Sequence, residues 1–115
     1  MKFSYREETR EHRQFDVLAD EENGLRITVS RLGAELISLA RINEAGKWIG
    51  FLYRDGEIAP PEKGWANHAT VMGYYLHRLK EGRSLYRGRE IVGGTHGFLR
   101  GKTWHLVEAR SEEEG

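Results

Sequence analysis

QFDVLADEENGLRITVS, residues 14–30, is the stretch whose reading decides the fold. Gln14 to Ala19 alternates well enough for a strand, and Leu25, Ile27 and Val29 fall on one face of a second. Between them Asp20-Glu21-Glu22-Asn23-Gly24 is a turn, since Asn-Gly is a strong short-range hairpin signal. Two strands joined this tightly must run antiparallel.

Working outward, Leu32-Gly33-Ala34 makes a corner and Glu35 to Ile42 is the next strand. Leu36 and Ile37 are adjacent there, so its period is imperfect; Ser38 and the flanking glycines favour a strand over a short helix. Asn43 to Lys47 is another turn, followed by a strand over Trp48 to Tyr53. From Arg54 a loop runs through Pro60-Pro61 to about Gly64, because tandem proline forbids regular pairing. Residues 65–76 carry no clear pattern. A hairpin is expected around Arg87-Gly88, and a closing strand over Thr103 to Ala109. Residues 1–12 are charged without a period and read as a solvated arm, and residues 111–115 as an acidic tail. Short strands about ten residues apart, separated by turn signals, argue for an all-β sandwich or barrel over residues 13–110.

A chain of 115 residues is long enough for one domain with a core of its own. It has no cysteine, which excludes disulfides and thiolate metal sites. Eighteen basic and eighteen acidic residues balance, which removes the electrostatic footprint of a nucleic-acid binder. No apolar run is long enough to span a bilayer and the N-terminus lacks a signal-peptide core, so a soluble cytoplasmic protein is expected.

Arg78 and His96 draw notice as polar residues at the ends of expected strands, flanked by glycine or turn residues, where binding sites are commonly built. His68, His77, His96 and His105 show no i,i+2 or i,i+4 pairing, and no carboxylate cluster joins them, so no metal is expected. Gly93-Gly94-Thr95 lacks the Lys-Ser/Thr of a phosphate loop. The basic run Arg83, Arg87, Arg89 is most simply a solvated hairpin.

The string HRLKEGRSLYRGREIVGGTHGFLRGKTWHL, residues 77–106, resembles the N-terminal half of the aldose 1-epimerase (galactose mutarotase) family. That family shows a Gly-Arg-Leu/Ile-x-x-Gly-Arg segment, a Tyr-x-Gly-Lys/Arg hairpin, and then His-Gly-Phe or His-Gly-Gly. VSRLGAELISLARI, residues 29–42, resembles the family's opening strand pair, so the likeness covers about residues 24 to 108. It departs where Gly73-Tyr74-Tyr75 replaces the family's Phe-Pro and where His77 stands for the glycine before Arg78.

The resemblance implies an antiparallel β-sandwich with large curved sheets, truncated here and completed by a homodimer or by a separate partner carrying the second half. It makes Arg78 a substrate-binding guanidinium, whose planar fork suits sugar hydroxyls, and places His96 in the sugar pocket. Asn67 falls where related chains carry polar pocket residues. Trp65 and Trp104 offer rings for stacking on a sugar, although sheet cover is the more ordinary role of such residues. The partner implied is an aldose or sugar phosphate, with no cofactor, nucleic acid or membrane. Mutarotation needs a base at the anomeric hydroxyl and an acid at the ring oxygen. The family draws these from a carboxylate and a second histidine in its C-terminal half, which nothing here matches. Three readings stay open: a sugar-binding protein of this type with activity absent or partner-dependent, an active dimeric epimerase using residues such as His77, Glu81 or Glu90, and a non-catalytic structural or interaction module.

Overall fold

The computed structural model describes residues 2–52 and 68–115 and is mostly antiparallel β-structure. Five strands form one sheet in sequence order: β1 (Phe3–Arg10), β2 (Arg13–Asp20), β3 (Leu25–Ser30), β4 (Glu35–Ile42) and β5 (Trp48–Gly50). A separate two-stranded sheet pairs β6 (Arg83–Tyr86) with β7 (Arg89–Val92). The β2–β3 hairpin turns at Asn23-Gly24 as its sequence demands. Asp20 closes that turn, accepting from the Asn23 backbone N–H at 3.0 Å and from its amide at 2.7 Å.

Three elements differ from expectation. The charged N-terminal residues expected as a solvated arm form β1 instead, paired along their whole length with β2 from Phe3↔Asp20 to Arg10↔Arg13. A strand without a hydrophobic alternation is held by its backbone ladder and by a cross-strand bond from Tyr5 OH to Asp16 Oδ1 at 2.7 Å. Charge also suits this position, since it blunts an edge against pairing with strangers. The closing strand over Thr103 to Ala109 shrinks to a single bridge, Leu32↔Thr103. The strand from Trp48 ends at Gly50 rather than Tyr53, which lies with the 54–64 loop outside the described residues.

The imperfect period of Glu35–Ile42 has a definite cause. Thr28 pairs with Ser38 while Val29 pairs with Leu36, so Ile37 is the extra residue of a β-bulge. The bulge restores the alternation on both sides of itself.

One face of the large sheet carries the buried residues: Phe15, Val17 and Ala19 of β2, with Thr28, Ser30 and Glu35 beside them. The opposite face holds Leu18, Leu25, Ile27, Val29, Leu36 and Leu39, none of them fully buried. The corner at Gly33 ties the sheet to the C-terminal segment. Gly33 N–H donates to Lys102 O at 2.7 Å, and Trp104 N–H donates to Arg31 O at 2.7 Å. Gly33 has φ +71°, and a Cβ there would meet the Arg100 carbonyl, so only glycine fits.

Candidate functional site

The segments carrying Arg78 and His96 are far apart in sequence and are bound directly to one another. His96 N–H donates to His77 O at 2.8 Å, and His77 N–H donates back to His96 Nδ1 at 3.0 Å. Just below, Gly73 N–H donates to His96 O at 3.2 Å and Phe98 N–H to Gly73 O at 3.0 Å. The two imidazole rings lie 6.1 Å apart, tilted by 46°.

Both histidines sit in the left-handed region, each at φ 62°. That conformation is uncommon for a side-chain-bearing residue, although histidine is among those that adopt it more readily. Such backbone persists where surroundings over-determine it, and it clusters at functional sites. Gly97, at φ +73°, lets the chain close in here, because a Cβ on it would fall onto the Gly73 carbonyl. The sequence signal for this closeness was the glycine after His96.

The tie also fixes the chemistry of His96. With Nδ1 accepting from a backbone N–H, a neutral ring carries its proton on Nε2 and offers a donor from its far edge. His96 is half-buried, whereas Arg78 is exposed and makes no ion pair among the described residues. Neither lies at a strand end: Arg78 precedes the 3₁₀ turn Lys80–Gly82, and His96 follows β7 by four residues. Adjacent to them, a groove of about 770 Å³ is lined by Tyr74, Tyr75, Tyr86, Leu85 and Phe98, with Gly94 and Gly97 at its margin. Tyr75 donates to Gly94 O at 2.5 Å, and Tyr74 packs edge-on against Phe98 with ring centres 5.4 Å apart. Arg78 and His96 are not among its lining residues. Trp65 and Asn67 lie outside the described residues, and Trp104 sits apart, against Arg31 and Leu99. Among the described residues no three metal-ligating side chains gather. Nor does any helix among them have the length and apolarity to cross a membrane.

Sequence reasoning missed a second constellation, on the exposed face of the large sheet. Arg31 grips Asp16 with two bonds, Nε to Oδ2 at 3.0 Å and Nη2 to Oδ1 at 2.8 Å. Tyr5 OH donates to Asp16 Oδ1 at 2.7 Å, and Glu7 approaches Arg31 Nη2 at 3.1 Å. The Arg31 guanidinium holds the Asp16 carboxyl below its usual range. Burial, with the Asp16 carboxylate beside it, pushes the Tyr5 hydroxyl up to about 12. These residues come from β1, β2 and the turn after β3, a meeting that required the register of strands the sequence had left unpaired.

No family model, characterised protein or solved structure matches this chain.

Proposed function

We propose that the chain is a carbohydrate-binding protein of the aldose 1-epimerase type, its five-stranded sheet forming one layer of an antiparallel β-sandwich. The observation that carries this reading is the reciprocal bond between His77 and His96. It brings the Arg-Leu and His-Gly-Phe segments into one locus, where the exposed Arg78 guanidinium, in no ion pair among the described residues, can fork onto vicinal hydroxyls and the His96 ring keeps Nε2 as a donor. Such donors suit an oxygen-rich ligand, neutral or anionic. The aromatic groove alongside supplies rings against which the C–H face of a pyranose can lie. The ligand is an aldose or a sugar phosphate. Anomer exchange needs an acid and a base at the two ring-opening oxygens, for which the candidates are His77, Glu81 and Glu90, the last ion-paired with Arg83 on the β6–β7 hairpin.

Polarimetry of freshly dissolved α-D-glucose and α-D-galactose tests the catalytic part. Relaxation faster than buffer with the wild-type chain, lost in His96→Ala, supports an assembled site. Sugar titration followed by NMR tests the binding part. Shifts at Arg78 and His96 that vanish in the double variant Arg78→Ala/His96→Ala are expected, and their absence with every aldose and aldose phosphate tried refutes the reading. One observation favours a second reading, a non-catalytic structural or interaction module: the groove beside the two histidines is mostly apolar, and neither Arg78 nor His96 lines it.

A further inference from the structure

The half-exposed face of the five-stranded sheet has an order that points to what covers it. Paired residues lie side by side on one face of a sheet. One row across all five strands therefore reads Phe3, Asp20, Leu25, Arg41, Ile49. The next row reads Tyr5, Leu18, Ile27, Leu39, and Phe51 extends it by donating its N–H to Leu39 O at 2.8 Å. The second row is apolar or aromatic from either end, and the first becomes its own charge complement when reversed. In the first, apolar, acid, apolar, base and apolar become apolar, base, apolar, acid and apolar, which is the complement of the original.

Such a face is self-complementary about a two-fold axis lying over β3 and parallel to it. Two copies so related oppose Leu25 to Leu25 and Ile27 to Ile27. Leu18 then faces Leu39, Phe3 faces Ile49, and Asp20 of each copy faces Arg41 of the other. Arg41 is exposed and makes no ion pair among the described residues.

Leu18, Ile49 and Phe51 are 43%, 43% and 61% exposed, an apolar load unusual for a face left in water. The balance of charge means that two copies do not repel one another. Arg110, Ser111 and Gly115 line a cavity on this face together with Phe3, Tyr5, Leu18, Leu25 and Ile27, so a second copy must displace this segment from the β1–β3 half.

We infer that this face is the interface of a symmetric homodimer, in which two five-stranded sheets pack as the layers of a sandwich. Aligned sheets pack about 10 Å apart with strand directions within about 30°. The inference concerns a surface remote in kind from the His77–His96 locus and stands whether or not a sugar binds.

Sedimentation velocity of the full chain at about 1–100 μM reads the mass directly. A species of twice 13.3 kDa is expected. Arg41→Glu should raise the dimer dissociation constant by about tenfold or more, because like charges then face each other. Asp20→Arg should do the same, and the double variant Asp20→Arg/Arg41→Glu should recover association. The recovery separates the cross-interface pair from the lost Asn23 turn contacts, which both Asp20 variants share. Far-UV circular dichroism confirms that each variant is folded. The chain has no cysteine, so Leu25→Cys treated with a bis-maleimide spanning about 10 Å should give crosslinked dimers, while Leu85→Cys on the β6–β7 hairpin should not. A monomer throughout the concentration range overturns the inference. So does a dimer indifferent to Arg41→Glu and uncrosslinked at Leu25→Cys, which would place the contact elsewhere.

Discussion

Replacing Asp16 by asparagine tests how much of this sheet's stability rests on the constellation that its sequence hides. Asp16 accepts two bonds from Arg31 and one from Tyr5, and the Asp16 and Arg31 side chains are only 15% and 13% exposed. Bonds to charged groups contribute about 1.5–3 kcal/mol each in such settings, and breaking a wholly buried ion pair costs about 3–5 kcal/mol. The substituted amide would keep an acceptor for Tyr5, and Glu7 would still lie 3.1 Å from Arg31. The expected loss is therefore at the low end, about 2 kcal/mol, which lowers the Tm of a chain of this size by about 8 °C. Urea denaturation at pH 7 reads the loss as a shift in midpoint at constant slope. Wild-type stability should also vary with pH in a defined direction. The folded carboxyl lies below its unfolded value of about 3.9, so its contribution is complete above about pH 5 and disappears as pH falls through the folded value. Asp16→Asn should flatten that acid limb. A loss below about 0.5 kcal/mol, or an acid limb unchanged in the variant, would refute the claim that this pair holds β1 and β2 to the turn after β3.

Three further outcomes follow from the same structure. Val17→Ala removes two methyl groups from one of the most buried side chains, at 1% exposure, and should cost about 2–3 kcal/mol in urea unfolding. Gly33→Ala forces a side chain into φ +71° and against the Arg100 carbonyl, and should destabilise by about 2 kcal/mol or more while loosening amide-exchange protection at position 33 and at Trp104. Gly97→Ala should displace the His96 turn from Gly73 and so abolish the sugar-induced NMR shifts at His96 that the proposed function requires, with the far-UV spectrum of the five-stranded sheet preserved.

Much of the strand content was legible from alternation and turn chemistry. The Asn23-Gly24 turn, the strands on either side of it and the hairpin at Arg87-Gly88 all follow from local preferences that tertiary contacts had no reason to override. β1 was not legible, because an edge strand needs no apolar period when its neighbour supplies the ladder. The closing strand was over-read for the opposite reason: Thr103 to Ala109 has suitable residues, but only Thr103 finds a partner. Of the candidate site, Arg78 and His96 drew attention by residue type and glycine context. The reciprocal bond between His77 and His96 had no sequence signature beyond Gly97.

The sequence by itself determined the antiparallel hairpins, since side-chain alternation and the left-handed tolerance of glycine act within a few residues. Only the tertiary structure decided the rest: the bulge at Ile37, the gathering of Tyr5, Asp16 and Arg31, and the complementary rows on the sheet's half-exposed face. Each depends on which residues stand opposite one another across strands. A shift of one position there moves every side chain to the other face, so register belongs to the assembled sheet as a whole.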